Sequence, residues 1–307
     1  IIYLDNSATT PIKSEVLQEM MPYLTTEYGN ASSLYSVGRS AKRAIEKARN
    51  RVAELLNCNH NEIYFTGGGS ESDNIALKGF AYANKEKGNH IITSKIEHPA
   101  ILETCKTLER QGFEVSYINV KEDGIIDVEE LRKSIKSNTI LISVMTANNE
   151  VGTIQPIEEI AKIAHDNNIV FHTDAVQAIG NVKIDVEKMR IDMLSLSSHK
   201  INGPKGVGAL YIKNGIEVEK FINGGHQEKD RRAGTENVAG IVGLGKAAEI
   251  ARKNMETHIR NLSKVRDYYI KKVQKEIPNI RINGSMENRL PGNANISFKG
   301  VNASELI

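Results

Sequence analysis

The stretch "LSLSSHKINGPKG", Leu194 to Gly206, ends an apolar run in serines, a histidine and Lys200, with glycine and proline directly behind. A lysine where a strand gives way to a tight turn can be held against a ligand, because ligands of open α/β sheets collect at the carboxyl ends of strands. The run "NIVFHT" ends in Asp174, 26 residues earlier, and Gln177 follows. A carboxylate closing an apolar strand is costly unless it meets a cation. In "GGGSES", Gly67 to Ser72, three glycines precede a helix expected to start at Ser70 or Glu71. Convergent amides, a helix N-terminus and a hydroxyl there suit a phosphate. His98 stands before Pro99 in "KIEHPA", and Asn148 and Asn149 follow the run "LISVMT".

Taken singly, each has an ordinary reading: a capped turn, a capping or surface histidine, an N-cap aspartate, turn asparagines, a solvated lysine. Together they match the needs of pyridoxal phosphate: a lysine for the Schiff base, a carboxylate that keeps the pyridinium nitrogen protonated, a stacking partner and a phosphate cup. Lys200, Asp174, His98 and "GGGSES" supply one candidate each, and strand alternation puts Ser197 and His199 on one face within reach of the phosphate. The Walker lysine is missing, so a nucleotide is not expected.

The elements that must position these residues read in βαβα order. "EIYFT" precedes a helical pattern over 70–84, "HIITS" one over 99–111, "TILISVMT" one over 156–167, and "VSYINV" and "NIVFHT" add strands. Continuous apolar strands are buried on both faces, which implies a mostly parallel sheet between helical layers. Residues 12–254 are expected to form this large domain. Two further helical patterns, 235–253 and 256–276, lead to "IPNIRING" and the strand-like "NANISFKG". A smaller domain is expected from 1–11 with 255–307, unfinished at "VNASELI", whose pattern opens another helix.

The length of 307 residues, 40% hydrophobic, suffices for a large and a small domain. Forty Lys and Arg against 38 Asp and Glu give a charge of +2, which argues against a nucleic-acid or anionic-membrane partner. Cys58 and Cys105 form no C-x-x-C pair, so neither a disulfide framework nor a metal site is expected, and a cytoplasmic setting fits. No run reaches the roughly 18 apolar residues of a membrane span, and "IIYLDNSATT" lacks the marks of a signal peptide. The lack of an initiating Met suggests that the sequence begins inside its gene product.

Eight ordered motifs, "YLDNSATTP", "YGNASS", "GGGSESDN", "EHPA", "NNEVGTIQP", "HTDAVQAIG", "SLSSHKINGPKGVGALY" and "RRAGTEN", resemble the NifS/IscS-like cysteine desulfurases of the class V aminotransferase group. The resemblance implies the PLP-dependent transferase fold type I, with a smaller α+β domain. It implies that Lys200 carries the cofactor, that His98 stacks on the ring as acid/base, and that Asp174 faces the pyridinium. Gln177 matches the partner of the phenolic oxygen and Asn149 a further contact. Gly69, Ser70, Ser197 and His199 match the phosphate cup, and Thr235 a residue that reaches the phosphate of the other subunit, which implies a homodimer. Asn30 matches a contact to the substrate carboxylate.

The implied reaction takes sulfur from L-cysteine, releases L-alanine and leaves a persulfide on an enzyme cysteine for an iron–sulfur scaffold or another acceptor protein. The family's nucleophilic cysteine and its carboxylate-binding arginine match nothing in these 307 residues, since Cys58 and Cys105 fall elsewhere and read as structural thiols. A fragment of a working desulfurase, a non-catalytic cofactor-binding platform for assembly partners, and another class V transaminase or lyase are therefore the competing expectations.

Overall fold

The computed structural model describes residues 2–303. Seven strands form one sheet: β1 (Ile63–Thr66), β2 (His90–Ser94), β3 (Glu114–Ile118), β4 (Thr139–Ser143), β5 (Val170–Asp174), β6 (Met193–Ser197) and β7 (Gly208–Ile212). Their order is β1-β7-β6-β5-β4-β2-β3. The five strands from β3 to β6 run parallel, whereas β7 is antiparallel to both of its neighbours. The sheet is therefore mostly parallel, as the alternating pattern implies. Its antiparallel end arises because β6 returns through the short turn 198–207 rather than through a helix.

Nine helices accompany it among the described residues: α1 (Ser14–Thr25), α2 (Ser36–Leu56), α3 (Gly69–Asn74), α4 (Phe80–Ala83), α5 (Pro99–Arg110), α6 (Val128–Lys133), α7 (Ile157–Asp166), the single turn α8 (Gln227–Asp230) and α9 (Val238–Glu276). A π-helical turn, Ile75–Gly79, joins α3 to α4, so the helical pattern after β1 is one continuous element. Adjacent residues of each strand serve opposite cores, as a pleat requires. Ile91, Leu141, Met193 and Leu210 pack with Ile75, Leu77, Phe80 and Ile101. Their chain neighbours Ile92, Ile142, Leu194 and Tyr211 pack with Ile45, Val52, Ile160 and Leu244 on the other face. Burying both faces explains why these strands read as unbroken apolar runs.

The two helical patterns read at 235–253 and 256–276 are one helix. Nothing between them breaks it: Asn254 sits inside the run and its side-chain amide donates to the carbonyl of Ile250 at 3.0 Å. At about 1.5 Å per residue, the 39 residues of α9 extend about 58 Å. Its buried residues cluster at 239–248, where it packs against α1 and α2, and recur only at Ile270 and Val273. Beyond it, β8 (Ile280–Ile282) and β9 (Ile296–Phe298) form a separate antiparallel ribbon. The strand expected in "NANISFKG" is thus present, while the helix expected at "VNASELI" lies largely outside the described residues. The boundary expected at 254/255 falls inside α9. The turn 148–154 pairs with 285–290 through Ile154 N to Asn288 O and Leu290 N to Gly152 O, both 2.8 Å.

A buried ion pair holds the edge strand. Arg49 of α2 forks onto Glu228 at 2.7 and 2.9 Å, donates to the carbonyl of Ile63, and Glu228 also accepts from the amide of Phe65 at 2.7 Å. Glu228 adopts the left-handed conformation, φ 45°, which this bidentate anchor sustains. Removing one partner strands a buried charge, so Glu228→Ala is expected to lower the unfolding free energy by about 3–5 kcal/mol in denaturant titration. Asp230→Ala, which removes the exposed partner of Lys220, is expected to shift the unfolding midpoint far less than Glu228→Ala does.

Candidate active site

The carboxyl ends of β5 and β6 lie side by side, with Asp174 in register with Ser195. Asp174 closes β5; Ser197 closes β6, and a 3₁₀ turn, Ser198–Lys200, carries His199 and Lys200 onward. These residues line a cavity of about 350 Å³ together with His98, Asn149, Gln177, Gly69 and Ser70. Ser7, Ala8, Asp73, Met145, Ala147 and Val176 complete its wall. An adjoining cavity of about 480 Å³ is lined by the glycine turn 67–69, Ser70, Glu71, Ser197, His199 and Lys205.

Burial lowers the Lys200 amine below the ordinary lysine range, while the charges of Asp5 and Asp174 oppose the shift. The neutral, nucleophilic form is thereby made more accessible. The amine donates to the carbonyl of Ser7 and to that of Ala8 at 3.0 Å, and Gln177 Nε2 donates to Ser7 O at 2.9 Å. The N-terminal segment is fastened there through Thr10 N to His199 O, 3.0 Å, and Asn202 N to Thr10 Oγ1, 2.8 Å. Asp174 is 5% exposed. Burial raises its carboxyl, and the Val176 amide, 2.8 Å from Oδ1, together with the charges of His98 and Lys200, works toward the ionised form.

The phosphate-cup candidates also converge. The helix begins at Gly69, one residue ahead of the expected start, so its first amides border both cavities. A side chain at Gly69 would place Cβ 2.7 Å from Val176 Cγ2, so only glycine lets this turn close against the segment after Asp174. Ser70, Ser197 and His199 offer hydroxyls and an imidazole. His199 Nδ1 lies 3.1 Å from Thr9 Oγ1, and burial first, then Lys200 and Lys205, keep its ring toward the neutral form. Glu71 accepts from Gly67 N at 3.0 Å and pairs with Arg232 at 2.8 Å, tying "RRAGTEN" to the cup. His98 is the N-cap of α5, its Nδ1 accepting from Ala100 N at 3.1 Å, and it also lines the cavity. The capping reading is met by that hydrogen bond, and the ring stands at the cavity where the functional reading requires it.

Two groups read as contacts lie elsewhere. Asn30 is exposed, its side-chain oxygen accepts from Ser32 N at 2.9 Å, and it caps a local turn outside the cavity. Thr235 is exposed and lines neither cavity. Cys58 and Cys105 also stand apart, and burial pushes both thiols up to about 12.

Sequence reasoning passed over three buried acids and bases behind the wall. Asp73, 1% exposed on α3, has an oxygen within 4.8 Å of Asp174 and of His98. Two ionised carboxylates at that distance repel by about 3 kcal/mol at an effective dielectric of about 20. Glu97 accepts from Ser94 Oγ at 2.6 Å and from Met145 N at 2.9 Å, and burial raises it to about 8. His172 lies between Ser143 Oγ and Ser195 Oγ at 2.9 and 3.0 Å, and burial lowers it to about 3. The available signal for Asp73 was an acidic residue three positions beyond Ser70 on a helix that packs against the sheet.

The chain matches the family described as aminotransferase class-V over residues 2–307. It is 55% identical over 308 residues to the cysteine desulfurase IscS of Clostridium botulinum, covering 100% of this chain and 78% of that one. A solved NifS-like protein superimposes with a TM-score of 0.96 at 40% identity, covering 99% of this chain and 84% of the other. A structure of SspA in complex with cysteine superimposes with a TM-score of 0.88 at 39% identity, covering 97% and 84%. A lysine and a buried carboxylate on one cavity beside a glycine-rich helix start, carried on this sheet order and matched along the whole chain, place the protein in the NifS/IscS-like cysteine desulfurase branch of the class-V aminotransferase family.

Proposed function

We propose that Lys200 carries pyridoxal phosphate by a Schiff base in the 350 Å³ cavity and that L-cysteine is desulfurated there, giving L-alanine and a persulfide. One observation supports this above others: an amine lowered by burial and a buried carboxylate share a wall with the glycine turn. The donor set fits the group. Asp174 would face the ring nitrogen, His98 the ring face, Gln177 the phenolic oxygen and Asn149 a further edge. Gly69, Ser70, Ser197 and His199 would take the phosphate. Bound, the cofactor supplies an electron-withdrawing ring that stabilises negative charge at the amino acid Cα.

The protein's own groups then have defined tasks. Asp174 holds a proton at the ring nitrogen through its negative charge. Lys200 would take the proton from the amino acid Cα, which its lowered basicity favours over an ordinary, fully charged lysine. His98 moves a proton at the substrate thiol. The sulfur acceptor must be a thiolate, and a thiol at about 12 stays protonated, so neither Cys58 nor Cys105 serves.

The division into a large domain, 12–254, and a small one from 1–11 with 255–307 is retained in this reading, with α9 as the rigid link. A homodimer is supported by the apolar side chains exposed on the N-terminal third: Leu4 84%, Tyr28 79% and Leu34 89%. Thr235 and Asn30, remote from their own chain's cavity, would act across that interface or after closure around substrate. An iron–sulfur scaffold or another sulfur acceptor would receive the persulfide. A cytoplasmic setting is supported by the two free cysteines.

Purified protein loaded with pyridoxal phosphate is expected to be yellow, and Lys200→Ala is expected to lose the visible band of the lysine-bound cofactor; a colourless loaded wild type would sink the reading. The neutral amine is the form that reacts, so loading rises with pH. Because burial lowers Lys200, half-maximal loading rate is expected below the ordinary lysine value of about 10.4. Cys58→Ser and Cys105→Ser are expected to change cofactor affinity less than about two-fold by absorbance titration.

A further inference from the structure

We propose that Asp73 is a positioning residue that retains its carboxyl proton beside Asp174, so that the pair presents one negative charge, through Asp174, to the cofactor's ring nitrogen. The inference rests on the cofactor reading above. Asp73 reaches the cavity from α3 and Asp174 from β5, and their oxygens lie within 4.8 Å of each other. Asp73 Oδ1 is buried and has no hydrogen-bond partner among the described residues, so an ionised carboxylate there would go uncompensated.

The surrounding groups decide which acid keeps the proton. From β5, His172 Nε2 stands 3.9 Å from Asp73 Oδ1, but its ring, held between two serines, stays neutral and brings no charge. From β6, the Ser195 hydroxyl hydrogen-bonds the Asp73 carboxyl and works toward its ionised form, but it brings no charge, and from the loop after β2, Glu97 is a further acid rather than a counter-ion. His98 and Lys200 direct their charges at Asp174, which also holds the Val176 amide at 2.8 Å. Burial, and then the charge of Asp174, drive Asp73 well above the ordinary aspartate range. Asp174 therefore keeps the charge and Asp73 the proton. A neutral acid at 73 leaves the anion at 174 unopposed by a second one and keeps a polar group within 4.8 Å of it, which favours its ionised form.

The test reads the proton directly. Infrared spectra of cofactor-free protein carrying ¹³C-labelled aspartate, at pH 7, are expected to show the carbonyl stretch of a protonated aspartic acid, lost in Asp73→Asn. Labelling aspartate alone leaves Glu97 out of the signal. Absence of the band in wild type, or a band that survives Asp73→Asn and vanishes in Asp174→Asn, would falsify the assignment. Should Asp73→Asn fail to fold, Asp174→Asn decides: the band is expected to survive that substitution and to persist well above pH 3.9, the approximate value of a free aspartate, and its loss would overturn the assignment.

A second readout uses the loaded protein. The pH midpoint of the visible band is expected to rise by about one unit in Asp73→Leu, where an apolar side chain disfavours the ionised Asp174 and the ring nitrogen holds its proton less firmly. The amide of Asp73→Asn is expected to restore most of that shift. A fall of about a unit in Asp73→Asn, the sign produced by removing an anion, would show that Asp73 is ionised. If the loaded protein shows no visible band, the cofactor reading fails while the infrared result still stands by itself.

Discussion

An amine and a carboxylate, both withdrawn from bulk water at the ends of adjacent parallel strands, are the pair on which the site depends. Each would be costly there alone, since a buried charge without a counter-charge shifts toward its neutral form. The two shift toward one another: burial lowers the Lys200 amine and raises the Asp174 carboxyl, and each charge opposes the change in the other. Each group is drawn from its charged form by burial and back toward it by the other's charge, so a chemical change at the lysine bears on the carboxylate as well. A site that must take up and return protons needs this coupling more than it needs a strong ion pair.

The scaffold supplies the rigidity that such a balance demands. Strands β4, β5 and β6 are buried on both faces by two separate apolar layers, so the strand ends cannot shift without disturbing both. The antiparallel return of β7 brings Gly208 against the glycine turn, where a Cβ would lie 2.8 Å from Gly68. The cup is thus seated on the sheet edge rather than suspended in a loop. Glu71 and Arg232 fasten its outer side, and the Arg49–Glu228 fork fixes the strand that leads into it. Electrostatics at the floor and steric closure at the rim come from different elements but meet at Gly69, which packs on Val176 two residues past Asp174.

The sheet was legible because strands buried on both faces are written as apolar runs, and the site because reactive residues stood directly after those runs. Lys200, Asp174, His98, Gln177, Asn149 and the cup all reach one cavity, as their positions after strands imply. What was not legible follows from contacts distant in sequence. The N-terminal carbonyls that hold Lys200 lie more than 190 residues away, and a carbonyl leaves no mark in residue type. The unbroken course of α9 was hidden because its buried face is continuous over 239–248 and then thins to partly buried positions before Ile270 and Val273, so the pattern reads as two segments. Asp73 looked like part of a solvated polar string, "SESDN", because burial by the opposite layer cannot be read from four polar neighbours.

The N-terminal segment adds a constraint of its own. Ser7 O accepts from both Lys200 and Gln177, the two side chains assigned to neighbouring substituents of the cofactor ring, and Thr9 faces His199 of the cup. A ligand that engages those three side chains competes with the segment for the same donors. Its occupancy and the segment's seating are then linked: a ligand can shift the segment only by as much as it prefers one arrangement over the other. The anchors that do not face the cavity, Thr10 to His199 O and Asn202 to Pro11 O, are independent of that exchange. Residues 7–9 are thus held by groups that line the cavity, and residues 10 and 11 by the turn that carries Lys200.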